Sequence, residues 1–102
     1  MIRLFLFIAP FLLQAQELTL VQINASWNEA NNVDLSHYQI ANRFGYLEDQ
    51  NDELKDKINA VPVVILYKGN TPVHQWHADL SFKLYLKEEE VISIINKYNK
   101  NG

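Results

Sequence analysis

The segment Val61-Pro62-Val63-Val64-Ile65-Leu66-Tyr67-Lys68-Gly69-Asn70 constrains the fold more than any other stretch of the chain. Pro62 has no backbone N–H and pushes the residue before it out of helical geometry, so a helix arriving from residues 51–60 stops here. Val63 to Tyr67 is a continuous β-branched and aromatic run, the pattern of a buried strand. Lys68-Gly69-Asn70 is a tight turn, and Val73 to Ala78 returns as an antiparallel strand, closing a hairpin.

Upstream, Leu18 to Asn24 (LTLVQIN) places Leu18, Leu20, Gln22 and Asn24 on one face and Thr19, Val21 and Ile23 on the other. Both faces begin apolar, as in a strand covered on both sides. Asn28 to Leu35 predicts a short helix capped by Asn28, with Val33, His37 and Tyr38 on its inner side. Residues 40–48 read as a strand in which Phe44 and Tyr46 alternate with Gly45 and Leu47. Asn51 to Ala60 predicts a second short helix with Leu54 and Ile58 inward. The clearest helix is Glu88 to Tyr98. Three glutamates suit its N-terminus, and Val91, Ile94, Ile95 and Tyr98 form its apolar stripe. Phe82 to Leu86 carries no clear pattern, and the element order is β-α-β-α-β-β-α.

The chain of 102 residues holds one domain at most, and part of it reads as a leader. Met1-Ile2-Arg3 is followed by the apolar run Leu4 to Leu13, broken only by Pro10, and then by Gln14-Ala15-Gln16. A basic start, a short apolar core and a small residue at the cut are the pattern of a secretory signal peptide. The expectation is a signal peptide at residues 1–15 and a domain at 16–102, exported to a periplasm or secreted. The apolar run falls short of the roughly 20 residues needed to span a bilayer, so no stable membrane span follows processing. The absence of cysteine excludes disulfides, thiolate metal sites, iron–sulfur clusters and thiol nucleophiles. A formal net charge of −3 speaks against nucleic acid as a partner. A domain this small without disulfides points to a regular sheet with packed helices.

LVQINASWNEAN, followed about thirty residues later by INAVPVVILYKGN and a C-terminal helix, resembles the thioredoxin family. The resemblance covers Leu18 to Tyr98 and is most specific from Val61-Pro62 to Asn70. It implies a small thioredoxin-like α/β sandwich, a mixed four-stranded sheet with helices on both faces. It also implies a cis bond at Val61-Pro62 and a peptide-binding groove formed by Trp27, Asn28, Asn31, Val61 and Pro62. The interval from Trp27 to Pro62 is shorter than in the family, which implies a truncated first helix. The family's N-terminal strand and helix are missing, unless Met1–Leu13 supplies part of them.

The departures bear on function. The family's two catalytic cysteines fall on Asn28 and Asn31, and its buried acid falls on Gln22. The second loop tryptophan falls on Asn24, and the glycine near the groove falls on Ala78. Thiol–disulfide exchange needs a thiolate, and an amide forms no mixed disulfide. The expected protein is therefore no enzyme and needs no cofactor. It binds a protein or extended peptide through the groove, with Asn28 and Asn31 as neutral donors. Two alternatives stand beside this: an accessory protein acting with a cysteine-bearing partner, and a purely structural domain.

Other constellations read as structure. His74 and His77 fall on opposite faces of a strand, which is no metal site. Asp49 to Glu53 resembles a calcium loop but fails where glycine and the closing acid are needed, at Leu54 and Ala60. No serine lies in a Gly-x-Ser-x-Gly context. Asn24-Ala25-Ser26 satisfies the glycosylation sequon but ends a predicted central strand. Trp76 reads as a packing residue.

Overall fold

The computed structural model describes residues 17–99, so the predicted leader at 1–15 lies outside the described residues. Four strands, β1 (Leu18–Asn24), β2 (Ala41–Tyr46), β3 (Val63–Lys68) and β4 (Thr71–His77), form one sheet in the order β2-β1-β3-β4. β1 runs parallel to β2 and antiparallel to β3, and β3 runs antiparallel to β4, so the sheet is mixed. Two α-helices, α1 (Asp52–Lys57) and α2 (Glu88–Asn99), join 3-10 turns at Ser26–Asn31 and Leu47–Asp49.

Strand alternation divides the core. On one face Leu18, Leu20, Val64, Leu66 and Trp76 pack under Val91 and Ile95 of α2 and against Leu35 and Tyr38. Leu20, Val64, Leu66 and Val91 are wholly buried, each contributing about 1.5–3 kcal/mol by transfer from water. On the other face Ile23, Val63 and Ile65 are buried. There Leu54 of α1 shares a shallow depression with Thr19, Val21 and Tyr67. The fold is thus the expected α/β sandwich with helices on both faces.

The hairpin turns at Gly69, whose φ of 62° suits a residue without Cβ, and its N–H donates to Glu17 O at 2.8 Å. Lys68 Nζ reaches Tyr98 O at 3.0 Å, a cation on the last carbonyls of α2. Trp76 packs as expected, and its indole N–H donates to Glu90 Oε1 at 3.0 Å. Among the described residues no helix is long and apolar enough to cross a membrane.

The structure corrects the predicted first helix. It begins at Ser26 rather than at Asn28, is a 3-10 turn, and ends at Asn31. Residues 32–35 run without helical structure because Gln22 captures their backbone: Gln22 Nε2 donates to Val33 O and Val33 N–H donates to Gln22 Oε1, both at 2.8 Å. The asparagines at 31 and 32 are weak helix formers and offer little resistance. Val33 and Tyr38 still pack inward, whereas His37 is exposed and sits 3.7 Å from Glu88. α1 is also shorter than residues 51–60. Asn51 caps it by accepting from Leu54 N–H at 2.9 Å, and Ile58 is already extended on the approach to Pro62.

Candidate functional site

The site lies where β1 ends. Ala25 precedes the 3-10 turn but has no capping side chain. Its role passes to Glu48 from the turn after β2, whose two carboxylate oxygens accept from Ser26 N–H at 3.2 and 3.3 Å. Hydrogen bonding from the Ser26 side chain, and to a lesser degree from the Glu48 and Ser26 backbone, holds the Glu48 carboxyl below its ordinary value, with Lys55 acting in the same direction. Tyr46 donates from its hydroxyl to Glu29 Oε2 at 3.2 Å. Partial burial, reinforced by the charges of Glu29, Glu48 and Asp49, raises its phenol pKa.

The turn throws Trp27 outward, 67% exposed, and folds Asn28 inward, 5% exposed. Asn28 Nδ2 lies 3.0 Å from Asn24 Oδ1, 3.3 Å from Val61 O and 3.0 Å from Phe82 O. Two N–H groups therefore serve three acceptors. Asn28 Oδ1 accepts from Asn31 Nδ2 at 2.7 Å. Asn24, wholly buried, completes the cluster. Its Nδ2 donates to Asn28 O at 3.0 Å and to Asn32 Oδ1 at 2.6 Å, and its Oδ1 accepts from Ala25 N–H at 2.9 Å. The amides thus join the end of β1, the 3-10 turn, the loop before β3 and the loop before α2.

Val61-Pro62 is cis, and both residues are buried. Pro62 O accepts from Ala78 N–H at 3.0 Å, and Val61 O is held by Asn28. Val61 N–H has no partner among the described residues. Across the site, Asp79 accepts from the backbone N–H and hydroxyl of Ser81. These two hydrogen bonds hold its carboxyl below the ordinary value. The turn delivers Phe82 at φ 62°, a left-handed backbone uncommon for an aromatic residue. Its carbonyl meets Asn28, and its ring meets Trp27 edge-on with centroids 5.0 Å apart.

The structure brings Trp27, Asn28, Asn31, Val61 and Pro62 together. Both N–H groups of the Asn28 amide are engaged within the protein, whereas half-buried Asn31 spends one of its two on Asn28 Oδ1 and keeps the other. Sequence reasoning missed Phe82 and the structural weight of Asn24. The one signal available was the concentration of asparagines at 24, 28, 31 and 32. Chemically the corner presents two aromatic rings beside a buried Val61 whose N–H is not used within the described residues. Among the described residues no group of three or more His, Asp or Glu side chains is placed to hold a metal ion.

No family model and no curated protein matches the sequence. Among solved structures, the crystal structure of Chlamydomonas reinhardtii thioredoxin f2 is similar, with 23% identity and a TM-score of 0.54, covering 87% of this chain and 86% of that one. At that identity the likeness carries the fold: the chain has a thioredoxin-like fold.

Proposed function

We propose that this chain is an exported, non-catalytic thioredoxin-like module that binds an extended polypeptide beside Val61-Pro62. The observation that carries the reading is the exposed Trp27, packed on Phe82 beside Val61, whose N–H has no partner among the described residues. An extended peptide accepting from Val61 N–H would lay a side chain against the two rings, a minimal form of strand addition. Tryptophan is a residue type favoured at binding hot spots. The absence of any cysteine supports a role without thiol chemistry. One backbone hydrogen bond gives roughly 0.5–1.5 kcal/mol net, so affinity of about micromolar or poorer is expected.

NMR titration with extended peptides tests the reading. Shifts are expected at Trp27, Val61 and Phe82, and binding should weaken at least ~10-fold in Trp27→Ala, a loss of about 1.4 kcal/mol. In the same preparations, insulin reduction with dithiothreitol should match the protein-free rate. Shifts confined to the hairpin around Asn70, or affinity unchanged in Trp27→Ala, would remove the groove from the account.

The amide network favours a second reading, in which this corner only closes the fold and takes no partner. A titration without any shift at the corner would select it. Export is tested separately. The intact mass of protein recovered from its native host is expected to begin at Gln16, and a mass retaining Met1 contradicts export by cleavage.

A further inference from the structure

β1 is an inner strand of the sheet, yet its two faces are covered unequally. On the face of α2, Leu18, Leu20 and Gln22 are all buried. On the other face Ile23 is buried, but Thr19 and Val21 are only half-buried. The cover there is α1, six residues long against the twelve of α2. What is left open is a depression of about 390 Å³, within the size range of sites that hold small molecules. Leu54 is the one residue of α1 that lines it.

The lining is apolar with a single charge. Val21, Ile23 and Leu54 form the floor, and Arg43 of β2 stands directly across from Val21 in the parallel ladder. Thr19 and Tyr67, opposed across β1 and β3, add two hydroxyls. Among the described residues that line the depression, Arg43 alone carries a charge. Its guanidinium forms no ion pair or hydrogen bond among the described residues, and neither hydroxyl forms a hydrogen bond there.

We propose that this face binds a free amphipathic carboxylate, with the chemistry of a medium-chain fatty acid, its head on Arg43 and its chain over Val21, Ile23 and Leu54. An apolar floor beside one cation is complementary to an apolar body with one anionic head. The guanidinium matches a carboxylate with two parallel N–H donors and keeps its charge at every ordinary pH. The chain covers apolar surface that the sheet otherwise leaves to water, and that transfer is the main driving force. The head selects the sign of the ligand's charge and fixes its direction. An exposed ion pair contributes little by itself, so dissociation at about 1 mM is expected. The site uses neither Trp27, Val61 nor Phe82, so it stands independently of peptide binding at the corner.

The chain is expressed from residue 1, taken as the cell leaves it, and titrated with decanoate to about 5 mM while amide shifts are followed by NMR. Shifts are expected at Thr19, Val21, Arg43 and Leu54, and acetate, the head without the chain, should move none of them. Decyltrimethylammonium, the same chain with the opposite charge, should bind at least ~3-fold more weakly than decanoate. Arg43→Gln, with its circular dichroism unchanged, should weaken decanoate at least ~3-fold and leave decyltrimethylammonium no weaker. Arg43→Lys should keep the preference for decanoate. Equal affinity for the two decyl probes, or a loss in Arg43→Gln that both share, overturns the proposal, because the face is then an unselective apolar patch. So does the absence of shifts at these four residues, whether the face is closed by residues 1–15 or decanoate settles beside Ile92 instead. Retention on phosphatidylglycerol vesicles without any response to free decanoate would place a membrane surface there, and it overturns the proposal as well.

Discussion

Asn28→Ala is expected to lower the thermal midpoint by about 12–24 °C. The substitution removes the donor that serves Asn24 Oδ1, Val61 O and Phe82 O, together with the acceptor of Asn31. A buried polar group left without a partner costs about 1–3 kcal/mol. Asn24 Oδ1 keeps Ala25 N–H, and the Asn31 side of the cluster is open enough for water, so the four losses do not add in full. A net cost of about 3 kcal/mol remains, and in a domain this small each kcal/mol moves the midpoint by roughly 4–8 °C. Thermal unfolding followed by circular dichroism reads this directly, and a drop below ~4 °C would mean that the network adds nothing to stability. Asn28→Asp gives a signature that packing loss cannot. Its carboxylate would face three oxygens, so its folded-state pKa would lie above the unfolded value. The variant should therefore gain stability as pH falls through that raised pKa and lose it as pH rises.

Leu66→Ala is expected to cost about 3–4 kcal/mol, within the roughly 2–5 kcal/mol seen for buried leucines. Leu66 is wholly buried on β3, between β1 and β4 and within the cluster that includes Leu20, Trp76, Val91 and Ile95. Its neighbours come from strands and a helix that cannot all collapse into the space. Leu80→Ala removes the same atoms from a residue 87% exposed and should stay within about 0.5 kcal/mol of the parent. Urea unfolding of the two variants side by side gives the comparison. Equal losses would place the core elsewhere.

What the sequence made legible was whatever follows from periodicity. The run from Val63 to Tyr67, the alternation of Leu18 to Asn24 and the stripe Val91, Ile94, Ile95, Tyr98 each encode a local geometry, and each element stands where expected. The turn after β1 was not legible as a 3-10 turn, because its length is set by a distant side chain. Gln22 reaches Val33 across eleven positions. The resemblance singled out Trp27, Asn28, Asn31, Val61 and Pro62, which the fold places around one corner, but the inward aim of Asn28 was not legible. Its partners Val61 and Phe82 lie 33 and 54 positions away. No spacing rule within the turn discloses which amide is buried and which is offered.

The buried state of Asn24 settles how this protein behaves in a cell that attaches sugars to asparagine. Its sequon is formally complete, yet in the folded chain both ends of the amide are engaged and no surface is exposed. An oligosaccharide could be transferred only before β1 is seated, and the modified nitrogen would then block the closure of the turn. Production in a eukaryotic secretory host therefore sets glycan transfer against folding on the same side chain. The remedy is to abolish the sequon at Ser26 and leave Asn24 in place: alanine there loses the hydroxyl's bond to Glu48 but retains the backbone N–H that Glu48 also holds.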